Sequence, residues 1–260
     1  MVDGPAGPSF MDETMFDLKG YEASLLEGAW VTLQVSLLSV VLAMILGMIG
    51  ALAKLSRYPV ARRLATLYTT IIRGIPDLVL MMLLFFGGQV FINFLCTITN
   101  EWLNEWLAQG NAEHEWTAYV PEYIDISPFL AGVLTIGFIF GAYMAETFRG
   151  AILAVDRGQL EAAAAYGMTP WQVFRRVLFP QMVRHALPGF GNNWLVLMKT
   201  TALVSVIGLD DMVRKAGLAA GTTQLPFTFY MAVALIFLVF TAFSTTLLKW
   251  AERRYAIQTR

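Results

Sequence analysis

Five long apolar runs, separated by shorter polar stretches, set the plan of this chain. They cover about 29–53, 64–95, 128–148, 188–208 and 227–250. A bilayer core needs about 20 mainly apolar residues per helix, so each run predicts a membrane-spanning helix. The first is rich in Leu, Val and Ile, with Gly47 and Gly50 on nearby turns, and Pro59 breaks the chain after it. The second is longer than one crossing requires. It is interrupted at Arg73-Gly74-Ile75-Pro76-Asp77, which predicts a kink or a tilted entry. Gly137 and Gly141 in the third run are spaced for close approach of another helix. That helix can belong to this chain or to a partner, and the sequence leaves both readings open. The fourth run is the most polar, with Asn192, Asn193, Lys199, Thr200, Thr201 and Ser205. Between runs two and three the chain turns acidic and carries Trp102, Trp106 and Trp116. Tryptophan favours the headgroup layer, so a short interfacial helix is expected there.

Between runs three and four lies a polar stretch, 156–184, with its own helical grammar. Ala162 to Ala165 are strong helix formers. Gly167 suits the left-handed residue just past a helix end. Thr169 is a natural cap for a second helix, with Pro170 at its first position. Trp171 to Phe179 then predicts a short helix that stops before Pro180. The pattern is two short helices joined by a tight turn, ringed by Arg157, Arg175, Arg176 and Arg184.

Composition agrees with a membrane protein. Of 260 residues, 57% are hydrophobic and 14% charged, against about a quarter charged in soluble domains; the mean hydropathy is +0.59. The net charge of −1 hides a strong segregation. The connection after run one holds Lys54, Arg57, Arg62 and Arg63. The stretch from Arg149 to Arg184 holds five cations, and the tail from Lys249 holds four. The opposite side has Lys19, Arg214 and Lys215 alone. Thirteen against three places the N-terminus outside and the C-terminus and the 156–184 loop in the cytoplasm. The expected organisation is an outer tail at 1–27, a membrane domain at 28–255 and a cytoplasmic tail at 256–260. Met1 to Tyr21 lacks a basic start followed by an apolar run, so no cleavable leader is expected. The one cysteine, Cys96, excludes an intrachain disulfide.

Catalysis has little support. His114 and His185 are the only histidines, neither spaced for a metal site or a triad, and no phosphate-binding Gly-x-x-x-x-Gly-Lys-Ser/Thr loop is present. Energy, where used, must come from a partner. The informative residues are ionisable groups within the apolar runs, each costing about 2.5–3.5 kcal/mol at the bilayer centre on insertion scales. Arg73 and Asp77 are four apart and predicted to share a helix face. Glu146 and Arg149 are three apart near the end of run three, and Lys199 stands in run four. Two readings are open: these groups satisfy one another and hold the kink, or they line a polar path. On the second, Pro76 frees a backbone carbonyl, and Asp77 and Glu146 offer carboxylates to a cationic solute. Asn192 and Asn193 suit interhelical hydrogen bonding better than solute contact.

The spacing Glu161-Ala162-Ala163, then Gly167, Val177 and Pro180 resembles a signature of permease subunits of bacterial ABC importers, with Phe179 where Leu is usual. The resemblance extends through Arg73-Gly74-Ile75-Pro76-Asp77, the stretch Gly141 to Gly150, Gly191-Asn192-Asn193-Trp194, Thr201 to Ser205 and Glu252 to Tyr255. These stretches are most similar to the Q-type membrane subunits of histidine and lysine/arginine/ornithine importers. Such a resemblance implies an all-α integral membrane protein of type I importer permease fold, with five crossings and a coupling-helix loop. It implies a subunit of the bacterial inner membrane that is not itself an enzyme. Glu161, Ala162, Ala163, Gly167 and Pro180 would couple it to an ATPase. Implied partners are a second permease chain, two ATPase subunits that bind ATP–Mg, and a periplasmic amino-acid-binding protein. No cofactor or metal is implied for this chain. Arg73, Asp77, Glu146, Arg149, Asn192 and Lys199 are the candidates for the path of a cationic amino acid. An opine or a neutral amino acid is the alternative solute. A lone ion-coupled carrier would show paired broken helices and inverted repeats, which five runs do not suggest.

Overall fold

The computed structural model describes residues 18–109, 121 and 123–255. Every regular element among its described residues is a helix, and none is a strand. The helices are α1 (Glu22–Leu55), α2 (Pro59–Gly74), α3 (Asp77–Gln109), α4 (Pro128–Leu153), α5 (Arg157–Ala165), α6 (Pro170–Val173), α7 (Phe179–Thr200), α8 (Met212–Thr223) and α9 (Pro226–Tyr255). A π-helical turn, Phe174–Leu178, leads into α7, and a 3₁₀ segment, Thr201–Ile207, follows it.

The bundle is built on α1 and α4, which run parallel and close. Lipid gives helices no hydrophobic reason to associate, so they meet where small residues permit close packing. A Cβ at Gly47 would lie 2.4 Å from the Met144 Cβ, and one at Gly137 would lie 2.6 Å from Leu42. Gly141 and Gly50 take Leu46 and Ala145 in the same way. The Gly137–Gly141 pair therefore serves packing within the chain. Buried hydroxyls on α1 are satisfied locally or across the seam: Thr32 bonds the Gly28 carbonyl at 2.9 Å, and Ser39 the Val133 carbonyl at 3.3 Å.

α7 packs antiparallel on α4, with Gly189 facing Thr147 and Gly132 facing Val204. α3 also runs antiparallel to α4. Gln89 and Asn93 on α3 hold the chain just before α4: Ile124 N–H donates to Asn93 Oδ1 at 2.9 Å and Ile126 N–H to Gln89 Oε1 at 3.0 Å. Ser127 then caps α4. At the opposite end from Lys54, a second cluster joins the start of α1 to α8 and α9 through Leu25, Ala29, Met212, Ala216 and Phe229. Asp211 caps α8 there, accepting from the Arg214 N–H at 2.9 Å. Burial pushes its carboxyl up to about 6.

Several expectations need correction. Residues 64–95 are not one helix. Ile75 is extended, as a residue before proline tends to be, and α2 ends at Gly74. α2 is a two-faced helix with Ala65, Thr69 and Ile72 buried on one side, and the apolar span begins at Asp77. The kink is thus a full break. Pro76 stands in that break, outside both helices, and its own carbonyl accepts from Leu80 N–H at 3.0 Å at the start of α3. The helix over Trp171–Phe179 does not stop before Pro180: the π turn bonds Phe179 N–H to the Phe174 carbonyl, and the helix continues as α7 with proline in its first turn. The fourth run begins earlier than 188, with Pro188 inside α7. The polar segment after it forms α8, which had no expected counterpart. α3 reaches Gln109, so Trp102 and Trp106 stand on its extension and not on a separate helix. His114, Trp116, most of the acidic stretch and the tail at 256–260 lie outside the described residues.

Four helices are long and apolar enough to cross a membrane: α1, α3 up to Leu103, α4 and α9. α7 falls short because Arg184, His185, Asn192, Asn193 and Lys199 interrupt it. α3 and α9 each have only 11% of their most apolar window buried. Their outer faces are suited to lipid or another subunit.

At Gly47 the seam between α1 and α4 leaves no room for an added Cβ. Gly47→Val is expected to destabilise the detergent-solubilised protein by about 1–3 kcal/mol or more, read as a fall in its melting temperature. Gly74→Ala, where a Cβ meets nothing within 4 Å, should melt within about 1 kcal/mol of the parent. Equal melting of Gly47→Val and the parent would contradict the packing described.

Candidate functional site

The elbow between α4 and α7 is fixed by local chemistry. Asp156 caps α5, accepting from Gly158 N–H at 2.7 Å. At the other end Gly167 takes φ +80. Met168 N–H reaches the Ala163 carbonyl at 3.2 Å and Gly167 N–H the Ala164 carbonyl at 3.0 Å. Those two bonds form a Schellman cap, for which the left-handed glycine is needed. Two residues on, Thr169 and Gln172 form a reciprocal capping box with Pro170 at the first helical position. A sharp, fully capped turn results.

Only part of the elbow faces the bundle. Leu160 and Leu178 pack on the main core and Ala163 is buried. Glu161, Ala162, Tyr166, Gly167, Arg175, Arg176 and Pro180 are exposed. Tyr166 is 88% exposed and Trp171 65%. Trp171 stacks on Phe174 at 5.5 Å, holding a flat aromatic ledge beside the turn. Three residues, 154–156, separate the end of α4 from the start of α5. The helix directions gather the ends of α1 and α9, the α4–α5 junction and the elbow at one end of the bundle. The cations from Lys54 to Arg63, Arg149 to Arg184 and Lys249 to Arg254 cluster there.

Above the elbow a polar belt crosses the bundle. Glu146 on α4 accepts from Lys54 of α1 and from Arg149 at 3.0 Å. Lys54 also donates to Thr69 of α2 at 2.7 Å. The triad ties three helices together and occupies both carboxylate oxygens of Glu146. One turn earlier on α4 stands Tyr143. Arg73 lies over its ring, 5.6 Å from the centroid, and Tyr143 also interacts electrostatically with Asp77. Arg73 and Asp77 do not share a helix face, because the break at Ile75 separates them; Tyr143 bridges them instead. Asn193 donates to Thr147 at 3.0 Å, joining α7 to α4. Asn192 and Lys199 stand apart on exposed positions of α7. Asn192 lines a groove against α9 with Thr245, Lys249 and Glu252. An apolar groove of about 310 Å³ among α1, α4 and α7 is lined by Met44, Met48, Phe148, Met182 and Phe190 and offers a polar solute no partner. No cluster of three metal-ligating side chains occurs among the described residues.

Sequence reasoning missed Lys54, Thr69, Tyr143, Gln89 and Asn93. Lys54 counted only as one of the flanking cations, and Tyr143 passed inside a longer motif. Neither Gln89 nor Asn93 carried a signal, since their partners are backbone groups more than thirty residues away.

Comparison with known proteins adds the following. The family described as binding-protein-dependent transport system inner membrane component matches residues 39–257. The chain is 48% identical over 240 residues to the histidine/lysine/arginine/ornithine transport system permease protein HisQ of Escherichia coli (strain K12), covering 92% of this chain and 96% of that one. It is 41% identical over 238 residues to the nopaline transport system permease protein NocQ of Agrobacterium fabrum, covering 90% and 93%. A crystal structure of an amino acid ABC transporter with histidines superposes with a TM-score of 0.74 at 31% identity, covering 94% of this chain and 100% of that one. An inward-facing MetNI methionine ABC transporter shares the fold, with a TM-score of 0.66 at 18% identity over 90% of this chain and 96% of that one.

The triad has a measurable signature. Glu146→Gln leaves the Lys54 ammonium part-buried beside a neutral amide and should lower the melting temperature. A double-mutant cycle with Lys54→Met is expected to give a coupling of about 1–3 kcal/mol. A coupling near zero would show that the three helices are held without this contact.

Proposed function

The chain belongs to the family of binding-protein-dependent transport system inner membrane components, and on that footing we propose that it is the membrane-spanning permease subunit of an ATP-driven importer of polar, cationic amino acids. The observation that carries this reading is the elbow: a rigid, capped turn, exposed at the cation-rich end of the bundle and continuous with α4. Nothing in its own packing requires so exposed an aromatic and arginine-rich ledge, whereas a docking partner does. Cation-rich loops stay on the cytoplasmic side, where an ATPase resides. In this reading Glu161, Ala162, Ala163, Gly167 and Pro180 form the docking turn. ATP–Mg is bound by two partner subunits, and this chain catalyses no covalent step. The N-terminus faces the periplasm of a bacterial inner membrane. α7 with its 3₁₀ extension supplies a fifth crossing, its polar residues tolerated because they face other helices or an aqueous path.

A second permease chain completes the path, and a periplasmic binding protein delivers the amino acid. Closure of the ATPases moves the elbow, the elbow moves α4, and α4 carries α1 with it through the glycine seam. On the path itself, Asp77 is the carboxylate open to a cationic solute, since both oxygens of Glu146 are engaged. Relatives that transport histidine, lysine, arginine and ornithine support a cationic solute. The nopaline relative favours a second reading, an opine moved by the same machinery.

Gly167→Val forces a branched side chain into a left-handed turn. In the reconstituted complex with partner ATPase and binding protein, ATPase stimulation by the loaded binding protein is expected to fall at least about tenfold, a loss of about 1.4 kcal/mol or more of coupling. Membrane insertion should be unchanged. Retained stimulation would remove the turn from the coupling route.

A further inference from the structure

We propose that Arg73 is a built-in competitor for the solute's cation, holding the face of the Tyr143 ring beside Asp77 where a cationic amino-acid side chain also binds. The inference rests on the reading of this chain as a cationic amino-acid permease and names the residues that set its charge selectivity.

Four observations carry it. First, the Arg73 guanidinium sits 5.6 Å from the Tyr143 ring centroid and takes part in none of the four ion pairs among the described residues. At the exposed end of α2 it rests on an aromatic face instead of pairing with a carboxylate, a weaker and more exchangeable hold. Second, the same tyrosine interacts electrostatically with Asp77, so ring face and neighbouring carboxylate form a two-part receptor for one cation. Third, Arg73 is exposed on the last turn of α2. It is followed by Gly74, with open space around it, and by the extended Ile75. The side chain therefore has room to swing aside without disturbing α3. Fourth, the other belt carboxylate, Glu146, is already bound by Lys54 and Arg149. The Asp77–Tyr143 pair is left as the receptor that a mobile cation can enter. A ring face accepts one cation at a time, so the arriving side chain and Arg73 exclude each other. A neutral amino acid meets no such competition and gains nothing from Asp77.

The test is equilibrium binding of radiolabelled arginine and of citrulline, its uncharged near-isostere, to the purified complex of this chain with its partner permease and ATPase subunits. Arg73→Gln is expected to tighten arginine binding about twofold to fivefold, the range of an exposed cation–π contact, and to leave citrulline unchanged. Tyr143→Phe keeps the ring and should weaken arginine binding less than Tyr143→Leu, which removes both ring and hydroxyl. Weaker arginine binding in Arg73→Gln, or an equal shift for arginine and citrulline, would make Arg73 a structural prop and overturn the proposal. Should Arg73→Gln fail to assemble, Arg73→Lys, a smaller partner for the ring, is expected to shift arginine binding in the same direction. Unchanged or weaker binding there also overturns it. An unmodified complex that binds no arginine contradicts the solute reading as well, whereas normal binding with insensitive variants contradicts only the competitor role.

Discussion

The close approach of α1 and α4 is the contact on which the rest of the structure depends. Glycines on both helices meet side chains of the other at four levels, with Met144, Leu42 and Leu46 against Gly47, Gly137 and Gly141 and Ala145 against Gly50. Between lipid-embedded helices the hydrophobic effect offers little, and packing of this kind is what remains. Everything functional hangs from this pair. The elbow is attached to the end of α4, the Glu146 triad ties α1 and α4 to α2, and Tyr143 on α4 faces the junction of α2 and α3.

A rigid pair with an exposed handle suits a protein that receives work from another subunit. The helix ends of the elbow are capped by Asp156, by the Schellman turn at Gly167 and by the Thr169 box. The π turn at Phe174–Leu178 lets the second short helix run into α7, so the elbow is continuous with α4 on one side and α7 on the other. Two levels of charge then divide the labour. The lower level, Lys54, Glu146 and Arg149, is satisfied within the chain and fixes helix positions. The upper level, Arg73, Tyr143 and Asp77, is built around an aromatic face, with the Arg73 guanidinium 5.6 Å from the ring centroid.

Local rules made the elbow legible in the sequence, because caps and left-handed glycines depend on neighbours within five residues. The glycine pair at 137 and 141 was legible as a close-packing signal, but its partner was not, because nothing local distinguishes α1 from a second subunit. The break at Ile75-Pro76 showed as a kink; that α2 is a separate two-faced helix was hidden because Leu64 to Ile72 continues the apolar run. α8 was concealed by its mixed composition. The belt was the least legible part. Lys54 and Glu146 are 92 residues apart, and only the parallel register of α1 and α4 brings them together. Arg73 and Asp77 looked like a helical pair by spacing, and it took the third residue, Tyr143, to give them their actual relation.

The central claim is that the elbow is a cytosolic handle gripped by a separate ATPase. Tyr166→Cys places a thiol at its most exposed point, while the native Cys96 is buried. Labelling with a membrane-impermeant maleimide, in right-side-out and inside-out vesicles and with or without the ATPase subunits, measures the claim directly. The account predicts labelling from the cytoplasmic face alone, blocked when the ATPase is bound. Labelling from the outer face, or labelling that bound ATPase leaves untouched, would contradict it.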